Sequence, residues 1–377
     1  MKYKKVLIIL GLVLFGILIF NNNTGNKEYF TVEGVKLAVG VDGIDQSDFP
    51  NMGEYDVSVD CTNVTGIWNY GEWKLELSNM NGSNAACNIN FTSVPNTHIK
   101  LNTKIMGLVG TTQGTGKVVN ENGYRYEGKD PNNYVLFNGE LWRIIGVFDS
   151  STHGQSGNLT KIIKNDSIGS YVWNKNKAND WNNSSLNTIL NTYYYNSQNG
   201  TGQDACYIFS NYVPGNCDFR YTGLNEVARG MIQSVTWKLG GYSSADATAE
   251  TFYTAERGSD VYSGRPTTWT GNVGLMYLSD YGYSVLSNSC ARTTNLIGYN
   301  NEQCGGQSWL LKYGYEWTMT PVSSDSYSIF LANNVALYLG DVDVSLGNSV
   351  RPTVYLKSSV YILSGDGSQN NPYVLGI

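Results

Sequence analysis

The chain has 377 residues, of which 15% are charged and 13% are aromatic, and its formal net charge at pH 7 is −6. This length allows two or three domains with cores of their own. The aromatic content excludes a disordered chain, because buried rings offset the entropy lost on ordering. An acidic composition offers no basic surface to a polyanion, so no nucleic-acid partner is expected.

The first 25 residues predict where the protein is located. A short basic start, MKYKK, precedes Val6–Phe20, which is apolar throughout apart from two glycines. This run is typical of a signal sequence and short for a spanning helix, which needs about 20 residues. The NNNTGN that follows lacks a small-residue cleavage site, so residues 1–25 are predicted to be an uncleaved hydrophobic helix. We therefore expect this helix to bind the membrane and to hold the protein on its extracellular face. If the signal is cleaved instead, the protein is expected to be secreted.

Residues 26–97 are predicted to form a small all-β, sandwich-like domain. Apolar and polar residues alternate in Tyr55–Val59 and again in Trp73–Leu77, which is the period of a half-buried strand. Cys61 follows one strand and Cys87 begins another, so a disulfide here would supplement a small core. The predicted role of this domain is that of a spacer or docking unit.

The six cysteines fit an exported protein. In sequence order they form three local pairs, Cys61 and Cys87, Cys206 and Cys217, Cys290 and Cys304. Several connectivities are open, and pairing between neighbours is the simplest. Zinc binding requires C-x-x-C-like spacing, which this sequence lacks, so disulfides are favoured over metal ligands and free thiols.

Residues 98–377 are predicted to form one α+β domain that is framed by two strand regions. Asn133–Phe148 predicts a β-hairpin, because Asn138 and Gly139 separate two apolar runs and tolerate the positive φ of a type I′ turn. Val350–Leu363 predicts the closing strands. We expect the two regions to pair with each other in one mixed, mainly antiparallel sheet.

Two helices are predicted within this domain. The first begins after Asn183–Ser185, where leucine, isoleucine and tyrosine recur on one face. The second spans Gly223–Leu239, with Thr222 as its N-cap and two glycines after its end. From residue 250 onward short strands are predicted between polar loops, and Gly274–Tyr283 is one of them.

Several blocks of the sequence resemble a known family. FNGELWRIIGVF, DWNNSSLNTILN, GLMYLSDYGY, WTMTPVSS and SVRPTVYLKSSVYIL occur in that order. They resemble exported bacterial proteins of unknown function, whose domain is related to the C-type-lectin-like fold and to the formylglycine-generating enzyme. The resemblance covers about residues 100–377 and implies a loop-rich C-type-lectin-like domain with two helices, whose terminal strands share a sheet.

The activities of that wider fold do not extend to this sequence. Formylglycine generation would require redox-active cysteines, whereas Cys290 and Cys304 are flanked by polar loop residues. Calcium-dependent sugar binding would require a carboxylate-amide-Pro motif together with Trp-Asn-Asp. This sequence has Trp181-Asn182-Asn183 and no matching Pro motif. The resemblance therefore predicts a fold and no reaction.

Candidate catalytic or metal-binding groups are few. His98 and His153 are predicted to lie in solvated loops, where neither suits a Ser-His-Asp relay. Asp341 and Asp343 alternate with valine, so they could form an acid/base pair or a cation site, although the solvent face of a strand is the commoner role. Asp366 lies in SGDGSQNNP, which could bind calcium but as a turn needs no ion. No other cofactor is expected.

Aromatic residues in polar loops give the strongest indication of function. Tyrosine and tryptophan offer large contact areas at low entropic cost, which suits sugar rings and protein surfaces, and core packing is their alternative role. The candidate ligand-binding residues are Trp181, Trp269, Tyr281, Tyr283 and Trp317. The sequence therefore favours an adhesin-like cell-surface protein whose C-type-lectin-like head binds a glycan or a surface protein. An exported carboxylate-dependent hydrolase and a purely structural envelope component are the alternatives.

Overall fold

A computed structural model describes residues 7–9, 30–32, 34–50, 55–70, 73–80, 84–93, 98–200, 206, 217–333 and 342–377. The chain divides into two compact units. The N-terminal unit comprises Met1–His98 and Val374–Ile377, and the C-terminal unit comprises Ile99–Tyr373. The structure is mostly sheet, with 39% strand against 17% helix.

The N-terminal unit contains two sheets. Its strands are β1 (Leu7–Ile9), β2 (Phe30–Val32), β3 (Val35–Val41), β4 (Ile44–Gln46), β5 (Tyr55–Thr62), β6 (Thr65–Asn69), β7 (Lys74–Ser78) and β8 (Ala86–Ser93). One sheet has the order β2-β3-β8-β5, with β4 also paired to β3, and the other has the order β1-β7-β6. Cys61 and Cys87 are directly opposed in β5 and β8 and form a disulfide. Phe91 and Trp68 pack edge to face in the core between the strands.

The predicted N-terminal hydrophobic helix is wrong. Of residues 1–25 the structure describes Leu7–Ile9, which forms β1 and pairs antiparallel with β7, and the remaining predicted residues lie outside the described ranges. No helix in the described part of the chain is both long enough and apolar enough to cross a membrane. A short apolar run suits a buried strand as well as a helix, and its periodicity cannot separate the two. The membrane is therefore withdrawn as a partner bound through this helix.

The C-terminal unit is organised around a curled seven-stranded path, β18-β23-β14-β13-β11-β10-β9, in which every neighbouring pair is antiparallel. After β8, the strands in chain order are β9 (Thr112–Gln113), β10 (Gly116–Asn120), β11 (Tyr124–Gly128), β12 (Tyr134–Phe137), β13 (Glu140–Phe148), β14 (Leu159–Lys164), β15 (Ser170–Val172), β16 (Val235–Lys238), β17 (Thr268–Gly271), β18 (Val273–Gly274), β19 (Tyr315–Pro321), β20 (Ser328–Asn333), β21 (Val342–Asp343), β22 (Gly347–Ser349), β23 (Thr353–Leu356), β24 (Tyr361–Ser364) and β25 (Tyr373–Gly376). All of β25 except Tyr373 is assigned to the N-terminal unit. The register shifts between Ile144 and Gly146. A side chain on Gly146 would meet the Tyr124 carbonyl oxygen at 2.3 Å, so this irregularity depends on glycine.

The predicted hairpin is confirmed. β12 pairs antiparallel with β13, and Asn138 and Gly139 between them both have positive φ, at 60° and 75°. The hairpin and the closing region share a sheet as predicted, but the predicted pairing between them is wrong, because β14 lies between β13 and β23. All of β14 is buried, and so is most of β13.

Five other strands form a second sheet, β15-β22-β19-β20-β21, and two more form a separate pair, β16-β17. The helices are short. They are α1 (Leu101–Met106), α2 (Ser150–His153), α3 (Ser185–Thr188), α4 (Glu226–Met231), α5 (Ala249–Glu256) and α6 (Leu278–Ser284), with a π-helical turn at Ile189–Tyr194 and 3₁₀ turns at Trp181–Asn183, Leu296–Tyr299 and Gly305–Gln307.

The predicted α+β class, a C-type-lectin-like domain with two helices, is therefore wrong. Within the predicted second helix only α4 is helical, because the chain turns extended at Ile232 and continues into β16. Val235 and Trp237 are buried while Thr236 and Lys238 are half-buried, so the apolar stripe has the period of a strand. Conversely, Gly274–Tyr283 is predicted as a strand but contains most of α6. Asp280 caps the first turn of this helix by accepting a hydrogen bond from the Tyr277 amide at 2.9 Å.

The predicted disulfides are confirmed as pairs of sequence neighbours. Cys61 bonds Cys87, Cys206 bonds Cys217, and Cys290 bonds Cys304. Disulfides persist in oxidising compartments and are rare in the cytosol. Three of them therefore fit an extracellular or secreted protein.

Candidate functional site

A shallow pocket opens on the C-terminal unit and holds about 310 Å³ of space, part of which is open solvent. We call it the Trp181 pocket. It is lined by Trp173, Asn179, Trp181, Leu239, Val261, Tyr262, Arg265, Pro266, Met319 and Pro321. These residues come from four places in the chain: the stretch between β15 and the Trp181 turn, the end of β16, the loop between α5 and β17, and β19. A site assembled from such distant segments depends on the fold that holds them.

Tryptophans form one wall of the Trp181 pocket. Trp181 begins a 3₁₀ turn that Asp180 caps by accepting from the Asn182 amide at 3.1 Å. The Trp181 ring packs against Trp173, with ring centres 5.4 Å apart, and against Trp269 at 5.9 Å. Trp181 is 2% exposed, and its indole Nε1 has no hydrogen-bond partner among the described residues. A buried donor without a partner is uncommon in folded proteins.

Asn179 fixes the polar side of the pocket. Its Nδ2 donates to the carbonyl oxygens of Val322 and Asp325, each at 3.0 Å, and to that of Ser328 at 3.2 Å. Its Oδ1 accepts from Arg265 Nε at 3.2 Å. Because Asn179 is buried, these bonds replace the solvation that it loses, and they hold the loop after β19 against Arg265.

Arg265 and Tyr262 supply the accessible part of the pocket. Arg265 is half-buried, and its Nη2 donates to the Ser326 carbonyl oxygen at 3.2 Å. The guanidinium carbon lies 5.7 Å from the centre of the Tyr262 ring, which is 38% exposed. An aromatic face and a cation at this separation attract each other. The pocket therefore presents a ring and a charged fork of N–H donors to solvent.

The predicted ligand-binding residues separate into two groups. Trp181 lines the pocket, and the half-buried Trp269 packs against it. A side chain on Gly271 would overlap the Trp269 ring at 2.0 Å, so glycine lets that ring fold over its own strand. Tyr281, Tyr283 and Trp317 do not line the pocket.

Those three rings are core side chains. Trp317 Nε1 donates to the Tyr171 carbonyl oxygen at 2.8 Å, and the Tyr283 hydroxyl accepts from Asn122 at 2.7 Å. Tyr281 is fully buried beside Tyr299, with ring centres 5.9 Å apart. A ligand contact by any of the five predicted residues stays a prediction.

The acidic residues suggested as metal ligands do not come together in the described part of the chain. Asp341 lies outside the described residues, as does the side chain of Asp343, whose backbone forms part of β21 opposite Ser328. Asp366 is exposed and accepts from the Ser368 amide at 2.9 Å, and that bond together with the Ser368 side chain lowers the pKa of Asp366. No group of three or more histidine, cysteine, aspartate or glutamate side chains in the described ranges is placed to hold a metal ion.

His153 is not the solvated loop residue that the sequence predicts. It is fully buried in α2, which Asp149 caps at its start and Gly154 ends with a φ of 73°. Its Nε2 lies 2.9 Å from the Phe148 carbonyl oxygen, and burial lowers its pKa. The imidazole therefore joins a short helix to the end of β13 and has a structural role.

A second polar cluster lies in the core of the same unit, and the sequence did not predict it. We call it the Asp280 centre, made of Arg125, Lys161, Glu256, Arg257 and Asp280. Arg125 Nη1 lies 2.9 Å from Asp280 Oδ1, and Lys161 Nζ lies 2.5 Å from Asp280 Oδ2. The Lys161 ammonium also faces the Tyr277 ring at 4.2 Å. The only sequence signal was a lysine within the apolar strand LTKIIK.

Glu256 is the second carboxylate of the Asp280 centre. It accepts from the Ser279 amide at 3.0 Å and from the Thr320 hydroxyl at 2.8 Å, and it pairs with Arg257 at 3.3 Å. Burial raises the pKa of Glu256, although Arg257 opposes the shift. These bonds join α5, α6 and β19 at one point.

The charges of the Asp280 centre shift the pKa values of its members in different ways. Burial lowers the pKa of Lys161 to about 8, although Asp280 opposes this. Burial alone would raise the pKa of Asp280, but the charges of Lys161 and Arg125 lower it to about 2. Because Arg125, Lys161, Glu256 and Asp280 are all buried, this centre acts on the fold and offers no surface to a ligand.

Comparison of the chain with protein-family models, with curated proteins and with solved structures finds no match. The resemblance to exported bacterial proteins therefore stays a prediction, and the residues of the Trp181 pocket are the basis for assigning a function.

Proposed function

We propose that this protein is an extracellular carbohydrate-binding protein, adhesin-like in use, whose Trp181 pocket holds part of a glycan. The observation that carries the proposal is the exposed Tyr262 ring beside the Arg265 guanidinium at the mouth of a pocket walled by tryptophans. Sugar rings have an apolar face and a rim of hydroxyl groups. An aromatic ring covers the face, and fixed polar groups bind the hydroxyls.

The pocket chemistry supports binding over hydrolysis. Enzymes that cleave glycosides generally use a pair of carboxyl groups about 5 to 10 Å apart. None of the residues that line the Trp181 pocket carries a carboxylate or an imidazole. Tyr262, Arg265 and Pro266 instead supply contact area and hydrogen-bond donors. The carboxylate-dependent hydrolase is therefore not the function proposed for this pocket.

A glycan suits the pocket better than a protein ligand does. A stable protein interface buries about 800 Å² on each partner. The Trp181 pocket instead has ten lining residues, against the roughly 20 to 30 that a stable protein interface uses on each side. The end of a glycan would rest at the mouth of the pocket, against Tyr262 and Arg265. The disulfides and the predicted export agree with a ligand met outside the cell.

The test is a glycan array probed with the full, disulfide-bonded chain, followed by titration of the best ligand. Tyr262→Ala should weaken that ligand about tenfold, because the exposed ring would be lost. Tyr221→Ala is the matched control, since Tyr221 is 91% exposed and does not line the pocket. Binding unchanged in Tyr262→Ala, or no bound glycan at all, would overturn the proposal.

A further inference from the structure

The charge of Arg265 is not neutralised by any carboxylate in the described part of the chain. Six of the eight arginines pair with a carboxylate: Arg125, Arg143, Arg220, Arg257, Arg292 and Arg351. Arg229 donates instead to the carbonyl oxygens of Leu224 and Tyr195, beside the helix that contains it. Arg265 also forms no ion pair among the described residues, and of the eight it alone lines the Trp181 pocket.

Asp260 is the carboxylate nearest to Arg265 in sequence, and Asp325 belongs to the loop that Arg265 contacts. Both already accept hydrogen bonds from other residues. Asp260 accepts from the Ser323 hydroxyl at 2.9 Å. Asp325 accepts from the Tyr327 and Ser328 amides at 2.8 and 2.7 Å. Asp260 thus joins two loops that are distant in sequence, and Asp325 stabilises its own turn, so both carboxylates have partners other than the guanidinium.

The guanidinium is held in place and keeps donors to spare. Nε donates to Asn179 and Nη2 donates to Ser326, so two neutral acceptors fix the plane of the group. An arginine side chain carries five N–H donors in a rigid fork. Three N–H groups therefore remain for a ligand, including both on Nη1. Such a fork matches the two oxygens of a carboxylate.

We infer that the Trp181 pocket selects an acidic sugar and that Arg265 binds its carboxylate. This inference rests on the proposed function. The ligand class is a glycan that bears a uronic or sialic acid. The sugar ring lies against Tyr262 while the carboxylate meets the free N–H groups of Arg265. Asn179 has the role of a positioning residue, because it holds the guanidinium and its own amide is fully used by the loop.

The experiment compares ligands that differ in charge alone. The full, disulfide-bonded chain is titrated with galacturonate oligomers and with their methyl esters, and with sialyllactose and lactose. The acid of at least one pair should bind about tenfold to a hundredfold more tightly than its neutral counterpart, as expected for a charge-assisted bidentate contact. Sulfated oligosaccharides form the third arm, and tighter binding of sulfate than of carboxylate would overturn the assignment.

Two variants locate the selectivity. Arg265→Gln should abolish the preference for the acid over its neutral counterpart, and a thermal unfolding midpoint equal to that of the wild type shows that the variant is folded. Arg265→Lys keeps the charge and loses the fork, so it should recover part of the preference.

The outcomes separate this inference from the proposed function. Equal binding of acid and ester by the wild-type chain overturns the inference and leaves carbohydrate binding in place. Absence of binding to any ligand overturns both. Loss of both acid and ester binding in Arg265→Gln would make Arg265 a residue that shapes the pocket, and it would overturn its role as the carboxylate contact.

Discussion

The Asp280 centre and the Trp181 pocket use the same residue types for different ends. Each contains an arginine beside aromatic rings: Arg125 lies 4.7 Å from the Tyr283 ring, and Arg265 lies 5.7 Å from the Tyr262 ring. Arg125 is buried and paired with Asp280, whereas Arg265 is half-exposed and pairs with no carboxylate among the described residues. Neutralisation and burial turn a cation into part of the fold. A cation that neutral acceptors hold in position, and that stays partly exposed, is available to a ligand.

Of the two regions, the Asp280 centre should contribute more to the free energy of unfolding. Asp280→Asn removes the carboxylate that contacts both Arg125 and Lys161, and it leaves two buried cations without the ion pair that they share. We expect a loss of about 3 to 5 kcal/mol in the free energy of unfolding. Chemical denaturation followed by tryptophan fluorescence measures it.

The control for Asp280→Asn is Asp45→Asn, the same change at an exposed strand position, which should cost less than about 0.5 kcal/mol. If Asp280→Asn were as mild as its control, the contrast between the centre and the pocket would fail. A variant that does not fold, beside a control that does, would agree with the expectation.

The Cys290–Cys304 disulfide tests whether the loop after α6 also supports the centre. It closes a loop with a sequence separation of 14 residues. Replacing both cysteines with alanine should lower the free energy of unfolding by about 3 kcal/mol, mainly because the unfolded chain gains freedom. Thermal unfolding of the variant and of the reduced wild type would measure the loss. Because neither cysteine lines the Trp181 pocket, glycan affinity should not change at a temperature where the variant is folded.

Sequence reasoning succeeded where the signal was local. Asn138-Gly139 specifies a turn through its own backbone preferences, and the disulfides join cysteines close in sequence. The Asp280 centre could not be found in this way, because its members lie far apart, from Arg125 to Asp280, and only the folded sheet joins them. The helix prediction at Gly223–Leu239 failed because tertiary pairing of β16 overrides a stripe that fits either period.

Two aromatic residues at the Trp181 pocket were among the candidates identified from the sequence. Trp181 stood out as a ring in a polar loop, and its neighbour Trp269 was found by the same signal. Arg265 was missed, since a single arginine in a loop has no pattern. What distinguishes Arg265 is that no acidic side chain in the described ranges pairs with it in three dimensions, which sequence does not record.

The alkaline pH dependence of stability gives the smallest effect and the sharpest test of the centre. The pKa of Lys161 is about 8 in the folded protein and about 10.4 in an unfolded chain, so between these values the unfolded state binds more protons. The free energy of unfolding therefore rises with pH, by on the order of 2 kcal/mol from pH 7 to pH 9.5. Above that range the buried tyrosines, whose pKa values burial raises, act in the opposite direction. Lys161→Met keeps an apolar chain of similar length and should abolish the rise, whereas Lys36→Met, at an exposed position in β3, should retain it. Equal slopes in both variants would mean that Lys161 keeps its charge in the core, and the cluster would then hold two cations on Asp280 at every pH at which the protein folds.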